Sequence, residues 1–400
     1  MNKKKILIVS ECFYPEEFKI NDIAISWREK GFDIDVITLI PTYPFGEVYE
    51  GYKNRLFSKE YYKGISVYRV FGVTGYQNNE FKKLLKYLNF MVLGSIIGLF
   101  LGRKCNYVFG YNLGALTDML PAIIVRKIYR KPVVFWVQDL WPDSVYAYGY
   151  KKNKILSLFL NSLVRYIYQN ASSILISSRR FESKLRPYIK KDITINYSPN
   201  WADDLNMDLK EARLSIDSRV HFTFAGNIGK MQNLEKIIRA FCSLQNHYKS
   251  CSQLNIIGDG SNLSHLKTLS GKTENIVFHG SKPRDEMAKY YKASDFLIIS
   301  LKDEPVFHAT VPAKTQTYIA AKKPILAIIR GETAEIVKDF GLGLCADPSD
   351  IESIKKVFKE SINLAKEKKE EFVKNCDLLQ STIFNKNLII EKITKILLNS

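Results

Sequence analysis

Two glycine-punctuated turns and one lysine-bearing helix start are the parts of this sequence best suited to chemistry. Gly226-Asn227-Ile228-Gly229 closes the apolar run Val220–Ala225, and Gly258-Asp259-Gly260 closes Leu254–Ile257. Glycine permits a tight turn and lets backbone N–H groups approach a phosphate. Either turn alone also suits an ordinary strand-to-helix connection; the pair, at the same ends of two strands, points to a ligand. Thr310-Val311-Pro312-Ala313-Lys314 then leads into a helix expected over Thr315–Ala321, with proline near its first turn. A helix start carries free N–H groups and a partial positive charge. Lys314 opposes that dipole, so helix stability does not explain it. A docked diphosphate does. Lys230, just after the first glycine turn, is a second cation of this kind.

The first half offers carboxylates and hydroxyls instead. Gln138-Asp139 follows the apolar strand Pro132–Val137. Asp139 either accepts from a substrate hydroxyl or caps the next turn. Glu11, Tyr14 and Glu16 follow the first strand, and Thr42 and Tyr43 follow the second. All five histidines (His221, His247, His265, His279, His308) lie in the second half, so the first half cannot supply a histidine base. The six cysteines (Cys12, Cys105, Cys242, Cys251, Cys345, Cys376) are scattered, with no CxxC and no Cys/His cluster. No metal site and no disulfide framework is indicated, which suits a reducing cytoplasm. The start MNKKKILIVS reads as a first strand rather than a signal peptide.

The elements that must position these residues alternate. Strands are expected at Lys5–Ser10, Asp35–Leu39, Ile65–Val70, Tyr107–Gly110, Pro132–Val137 and Ser173–Ser177, with helices at Asp22–Lys30, Ala115–Tyr129 and Ile155–Gln169. The pattern restarts with strands Val220–Ala225, Leu254–Ile257, Ile276–Gly280, Phe296–Ser300 and Pro324–Ile329. Its helices are Asn233–Gln245, Arg284–Ala293, Thr315–Ala321 and Ile351–Lys366. Apolar strands alternating with helices argue α/β architecture: two Rossmann-like, doubly wound parallel-sheet domains, with ligands at the C-terminal strand ends in a cleft between them. The domains are read as 1–197 and 198–375, joined near the polar stretch Asn196–Asp204, with 376–400 a helix packing back on the first domain.

The net charge is +18, and +14 of it falls in residues 1–200. That asymmetry implies an anionic partner for the first domain, or a generic solubilising surface. Residues 88–102 (LNFMVLGSIIGLFLG) carry no charge and are flanked by Lys82, Lys83, Lys86, Arg103 and Lys104. Fifteen residues are too few to span a bilayer, which takes about 20. They suit a helix lying in anionic headgroups, or a buried core helix. No helix-turn-helix, zinc finger or aromatic-basic platform supports a nucleic-acid partner.

The chain resembles the retaining GT-B enzymes of glycosyltransferase family 4, and within them the bacterial surface-polysaccharide branch of WbuB-like N-acetyl-L-fucosamine transferases. The resemblance is carried by ILIVSECFYPE near the start, IPTYPFGEVYEGY at 40–52, VQDLWPDS at 137–144, SPNWADD at 198–204, AGNIGKMQNLE at 225–235, IIGDG at 256–260 and VPAKTQTYIAAKKPIL at 311–326. It implies a GT-B fold and transfer, with retention, of an N-acetylamino sugar from a UDP-sugar. The implied acceptor is an undecaprenyl-diphosphate-linked saccharide, in O-antigen or capsule synthesis on the inner face of the cytoplasmic membrane. No metal or other cofactor is implied.

Departures from the family pattern shift the expected donor contacts. Asn227 and Gln232 stand where many relatives have the diphosphate-gripping Arg and Lys. Ala309 and Thr317 stand at the paired glutamate positions. The resemblance therefore assigns the donor to Asn227, Gly229, Lys230, Gln232, Gly258, Asp259, Gly260, Thr310, Val311, Pro312, Ala313, Lys314 and Thr317. Glu11, Tyr14, Glu16, Thr42, Tyr43 and Gln138 fall on the acceptor side, and Asp139 at the reacting hydroxyl. Two alternatives remain: a UDP-sugar epimerase of the same architecture, and a non-catalytic scaffold of a polysaccharide assembly complex.

Overall fold

The structure, a computed structural model, describes residues 3–77, 79–147, 151–202, 205, 207–212, 214, 219–271, 273–364 and 369–400. Asp203 and Asp204, the end of the expected join, lie outside the described residues. The chain divides into two compact units, Met1–Pro199 with Asn387–Ser400, and Asn200–Lys386.

The first unit is built on eight strands: β1 Lys5–Ser10, β2 Asp33–Leu39, β3 Phe57–Tyr62, β4 Ile65–Val70, β5 Tyr107–Asn112, β6 Val133–Val137, β7 Ser173–Ile176 and β8 Thr194–Tyr197, ordered 3-4-2-1-5-6-7-8. All pairings are parallel except β3 with β4. The polar edge strand β3 escapes a reading that looks for continuous apolar runs. Lys63 and Gly64, both at positive φ, make its hairpin turn. The helices are α1 Lys19–Glu29, α2 Glu80–Gly102, α3 Leu120–Tyr129, α4 Asp143–Ala147, α5 Lys154–Tyr168 and α6 Phe181–Leu185. The helix expected from Ala115 begins instead as a 3-10 turn, Leu116–Met119, and becomes α-helical one residue before Pro121. Proline has no N–H to donate and fits only a first turn. Helix α1 starts a turn earlier than expected, at Lys19.

The uncharged stretch lies within α2, which is neither a core helix nor a free one. Gly94, Gly98 and Gly102 recur every fourth residue and let α2 sit directly on α3. A Cβ on Gly102 would fall 2.7 Å from Val125 Cγ1 and 2.8 Å from Tyr129 Cδ2. The opposite face exposes Phe81, Leu84, Leu88, Val92, Ile96 and Phe100. By length and composition α2 could cross a membrane, yet 33% of its most apolar window is buried. Helices α2, α3 and α5 follow crossovers that run in one direction along the sheet. The right-handed rule therefore puts them on one face. Helix α5 buries Leu160, Val164 and Ile167, and exposes Ile155, Leu158 and Phe159.

The second unit carries β9 Val220–Ala225, β10 Ser252–Ile257, β11 Ile276–Gly280, β12 Phe296–Ser300, β13 Ile325–Ile328 and β14 Gly343–Ala346, ordered 11-10-9-12-13-14 and all parallel. Its helices are α7 Leu234–Cys242, α8 Asn246–Ser250, α9 Leu263–Ser270, α10 Met287–Ala293, α11 Ala313–Ala320, α12 Glu332–Asp339, α13 Ile351–Leu364 and α14 Lys369–Ser381. Phe222, Phe241, Phe296 and Phe358 pack edge-to-face and stacked under α7 and α13. Tyr318, Val337, Cys376 and Leu379 fill the other face. Cys376 and Leu379 thus belong to the second core. Only the last helix, α15 Lys386–Leu398, clusters with the first unit. There Trp27 Nε1 donates to Thr394 Oγ1 at 2.8 Å, and Lys392 Nζ to Tyr197 O at 2.7 Å.

Gly102→Leu forces a branched side chain into the α2–α3 contact. We expect it to cost the first unit about 1–3 kcal/mol, read as a lower urea midpoint. An unchanged midpoint would count against this close packing.

Candidate functional site

In the second unit the two glycine turns stand side by side. Gly226 N donates to Ile257 O at 2.9 Å, Ile228 N to Asp259 O at 2.8 Å, and Asn262 N to Ile228 O at 3.0 Å. The approach is close enough to require glycine. A Cβ on Gly258, at φ +135°, would lie 1.9 Å from Gly226 O. These turns end β9 and β10, and β12 lies on the other side of β9, so the β9 turn borders the point where strand order reverses.

Helix α11 begins next to this point with Pro312 as its N-cap and no side-chain cap. Lys314, in its first turn, reaches under the first glycine turn. Its Nζ lies 3.7 Å from the centroid of the Phe224 ring, and 3.1 Å from where a Gly226 Cβ would stand. No carboxylate lies within ion-pair distance of it among the described residues. Burial alone lowers its pKa, to about 7. A half-buried ammonium with only an aromatic face beside it is poorly satisfied. A diphosphate would remedy that, and would push the pKa back up.

The other donor candidates are more self-sufficient. Gly229 N donates to Gln232 Oε1 at 3.0 Å, and Gly260 N to Asp259 Oδ1 at 2.7 Å. Gln232 thus caps the short 3-10 turn Lys230–Gln232, and Asp259 bonds locally to the next backbone N–H. Asn227 lies over Gly260. Thr310 Oγ1 donates to Val306 O and Thr317 Oγ1 to Ala313 O, which leaves each hydroxyl oxygen as an acceptor. Val311, Pro312 and Ala313 form the helix entry. Lys230 is exposed and lines a different cavity, one that none of Gly226, Gly258 or Lys314 lines.

In the first unit the candidates at the ends of β1 and β2 prove to be largely buried braces. Glu16 Oε1 accepts from Thr42 N at 2.9 Å and Tyr43 N at 2.7 Å, and its Oε2 from Phe13 N at 3.3 Å. It ties two loops together, a bracing role that the sequence does not show. Glu11 is buried in an ion pair with Lys86 from α2. Burial alone would pull Lys86 down, but the Glu11 carboxylate outweighs it and the net shift is up. Asp118, buried beside Glu11, is pushed well up by burial and then by the Glu11 charge. Lys86 therefore cannot serve the headgroup role that its flanking position suggests. Tyr14 and Tyr43 remain exposed. Tyr14 stacks on Tyr62 at 3.8 Å, and Arg69, buried and paired with Glu60 at 2.6 Å, donates to Tyr14 O. Sequence reading missed Asp118, Arg69 and Tyr62, and assigned Lys86 to a headgroup-facing flank of the uncharged stretch.

Gln138 N donates to Asn112 O at 2.9 Å, which holds this segment at the ends of β5 and β6. Asp139 follows, accepting from Leu140 N at 3.0 Å. Burial pushes its carboxyl up to about 6, so it is mostly a carboxylate at neutral pH. The two readings of Asp139, turn cap and hydroxyl partner, are compatible, since a carboxylate accepts several hydrogen bonds. Among the described residues no group of three His, Cys, Asp or Glu could hold a metal ion.

Two parallel-sheet α/β units, the second with an anion-ready strand-end site, have the GT-B fold. Residues 208–377 match the family model described as glycosyl transferases group 1. The chain is similar to the probable glycosyltransferase WbjE of Pseudomonas aeruginosa, 26% identical over 58% of this chain and 60% of that one. It is also similar to the putative colanic acid biosynthesis glycosyl transferase WcaI of Escherichia coli K12, 22% identical over 90% and 93%. Among solved structures, HepE of Anabaena in complex with UDP superposes with a TM-score of 0.70, at 14% identity over 99% of this chain and all of that one. The match in the second unit and these relatives support a glycosyltransferase.

The Lys314 burial has a testable sign. The folded pKa is near 7 and the unfolded one near 10.5, so between those values the unfolded chain binds more protons. The charged lysine therefore costs stability below about pH 7, and the cost fades as pH rises toward 10.5. Lys314→Met should raise the second unit's urea midpoint at pH 6 and change it less at pH 10. The opposite trend would contradict an unpaired ammonium.

Proposed function

We propose that this chain is a retaining glycosyltransferase. It moves a sugar, of the N-acetylamino type, from a UDP-sugar to a lipid-diphosphate-linked saccharide in surface-polysaccharide synthesis. The observation that carries the reading is Lys314, an ammonium without a carboxylate at an uncapped helix start beside two fused glycine turns. A nucleotide diphosphate matches that site in charge. The resemblance to surface-polysaccharide transferases and the UDP carried by the HepE structure favour this donor.

In the reaction the bond between the sugar's anomeric carbon and the donor phosphate oxygen breaks. A bond from the acceptor oxygen forms on the same face. The acceptor proton passes to the departing phosphate oxygen. Lys314 and the α11 N–H groups stabilise the charge that grows on the diphosphate. Asp139 accepts a hydrogen bond from a substrate hydroxyl and orients it. No step in this scheme calls on a metal.

The test is a panel of UDP-sugars with a lipid-linked GlcNAc acceptor, in EDTA, with the product read by mass and anomeric configuration. We expect a glycosylated product of retained configuration. We also expect Lys314→Ala to lower kcat/KM by about 100-fold or more, the range for losing one leaving-group stabiliser. An inverted product would overturn retention; binding without turnover would favour a scaffold.

The acceptor's lipid places the proposed site of action at the inner face of the cytoplasmic membrane. Two exposed apolar stripes on one face of the first unit support a membrane surface. One is on α2, where Phe100 is 76% exposed, and one on α5, where Ile155 is 83% exposed. Lys82, Arg103, Lys104, Lys152 and Lys154, all exposed, flank them. Apolar stripes rimmed by lysine and arginine suit anionic headgroups. Phe100→Asp with Phe159→Asp should lower binding to phosphatidylglycerol vesicles by tenfold or more; full binding by that variant would remove the membrane from the proposal.

A further inference from the structure

The cavity that receives Lys230 is a second basic site of the second unit. It has a volume of about 690 Å³ and is lined by Lys230, Lys236, Arg239, His265 and Lys302, with Glu235 as its one carboxylate. Glu235 is already taken. Arg239 Nη2 lies 2.9 Å from its Oε1, and His265 Nε2 3.6 Å from its Oε2. Lys236 Nζ donates to Ser349 O at 2.9 Å. Lys230 and Lys302 have no carboxylate within ion-pair distance among the described residues.

Helix ends reinforce this charge. Leu234, Asn262 and Ile351 line the same cavity and stand at the starts of α7, α9 and α13. The first two helices have no side-chain cap. At α9, Leu263 N already donates to Gly260 O at 3.0 Å, so these helix starts add chiefly their partial positive charges to the lysines. The walls therefore combine two unpaired ammonium groups, an arginine and two uncapped helix starts, against one shared carboxylate.

We propose that this cavity binds a phosphoryl or diphosphoryl group, separately from the Lys314 site. Cations at helix starts recognise phosphate oxygens, and the volume admits a phosphorylated small molecule. The bound group is free phosphate or the phosphates of a second nucleotide. This inference concerns binding only and does not depend on sugar transfer.

The experiment is calorimetric titration of the full chain with inorganic pyrophosphate, for the parent, Lys230→Ala/Lys302→Ala and Lys314→Met. The two lysines of the double variant are exposed, so thermal unfolding should match the parent's. Pyrophosphate affinity should fall tenfold or more in the double variant and stay within about threefold in a tight class of sites in Lys314→Met. Loss in Lys314→Met alone, equal loss in both, or only weak binding that neither variant changes would each overturn a separate site. Parallel titrations with UDP and orthophosphate identify the source. Two UDP per chain, falling to one in the double variant, assigns a nucleotide. One UDP per chain, with orthophosphate displacing pyrophosphate from the cavity, assigns free phosphate.

Discussion

A positive charge held partly out of water without a partner shapes the second unit. Lys314 projects from the first turn of α11 toward Phe224 and the backbone of Gly226, where no carboxylate among the described residues answers it. Burying an ammonium is unfavourable unless something compensates. Here the compensation within the protein is only the ring face, and the pKa falls to about 7 as a result. The surrounding structure is arranged around that spot. β9 and β10 end in turns so close that only glycine fits at 258, and α11 presents its uncapped start. Such a site costs stability while empty, a recurring trade between stability and function.

The first unit solves the opposite problem. Its buried cations Lys86 and Arg69 are paired with carboxylates. Lys86 would be costly inside an apolar helix, and Glu11 costly at the end of β1, but each compensates the other. The pair joins α2 to the loop that carries Tyr14, while Glu16 joins that loop to the one carrying Thr42 and Tyr43. One helix thus has three differing faces: glycines against α3, a single buried ammonium against Glu11, and apolar side chains outward. The outward face is the one that packing inside the unit leaves over.

Much of the fold was legible because its strands are short apolar runs that end in glycine or polar residues. β1, β4, β9, β11 and β12 fall where the sequence places them. What escaped was polar or local: β3, whose alternation is that of an edge strand, and the 3-10 turn ahead of Pro121. Helix starts at Lys19 and Ala313 also ran earlier than expected, because caps lack a strong sequence mark when no Ser, Thr, Asp or Asn occupies them.

The site divides in the same way. The sequence by itself determined that glycine turns, a helix start and Lys314 would occur together, since all sit at fixed offsets from recognisable strands. It also determined that Lys230 would be near a glycine turn. Only the tertiary structure decided that Lys230 lines a cavity that Lys314 does not, because side-chain direction depends on which neighbouring helices close around a turn. Likewise the acidic residues Glu11 and Glu16 read as substrate contacts until the fold supplied Lys86 and three backbone N–H groups to satisfy them. A carboxylate's role follows from its partners, and those partners come from residues far along the chain.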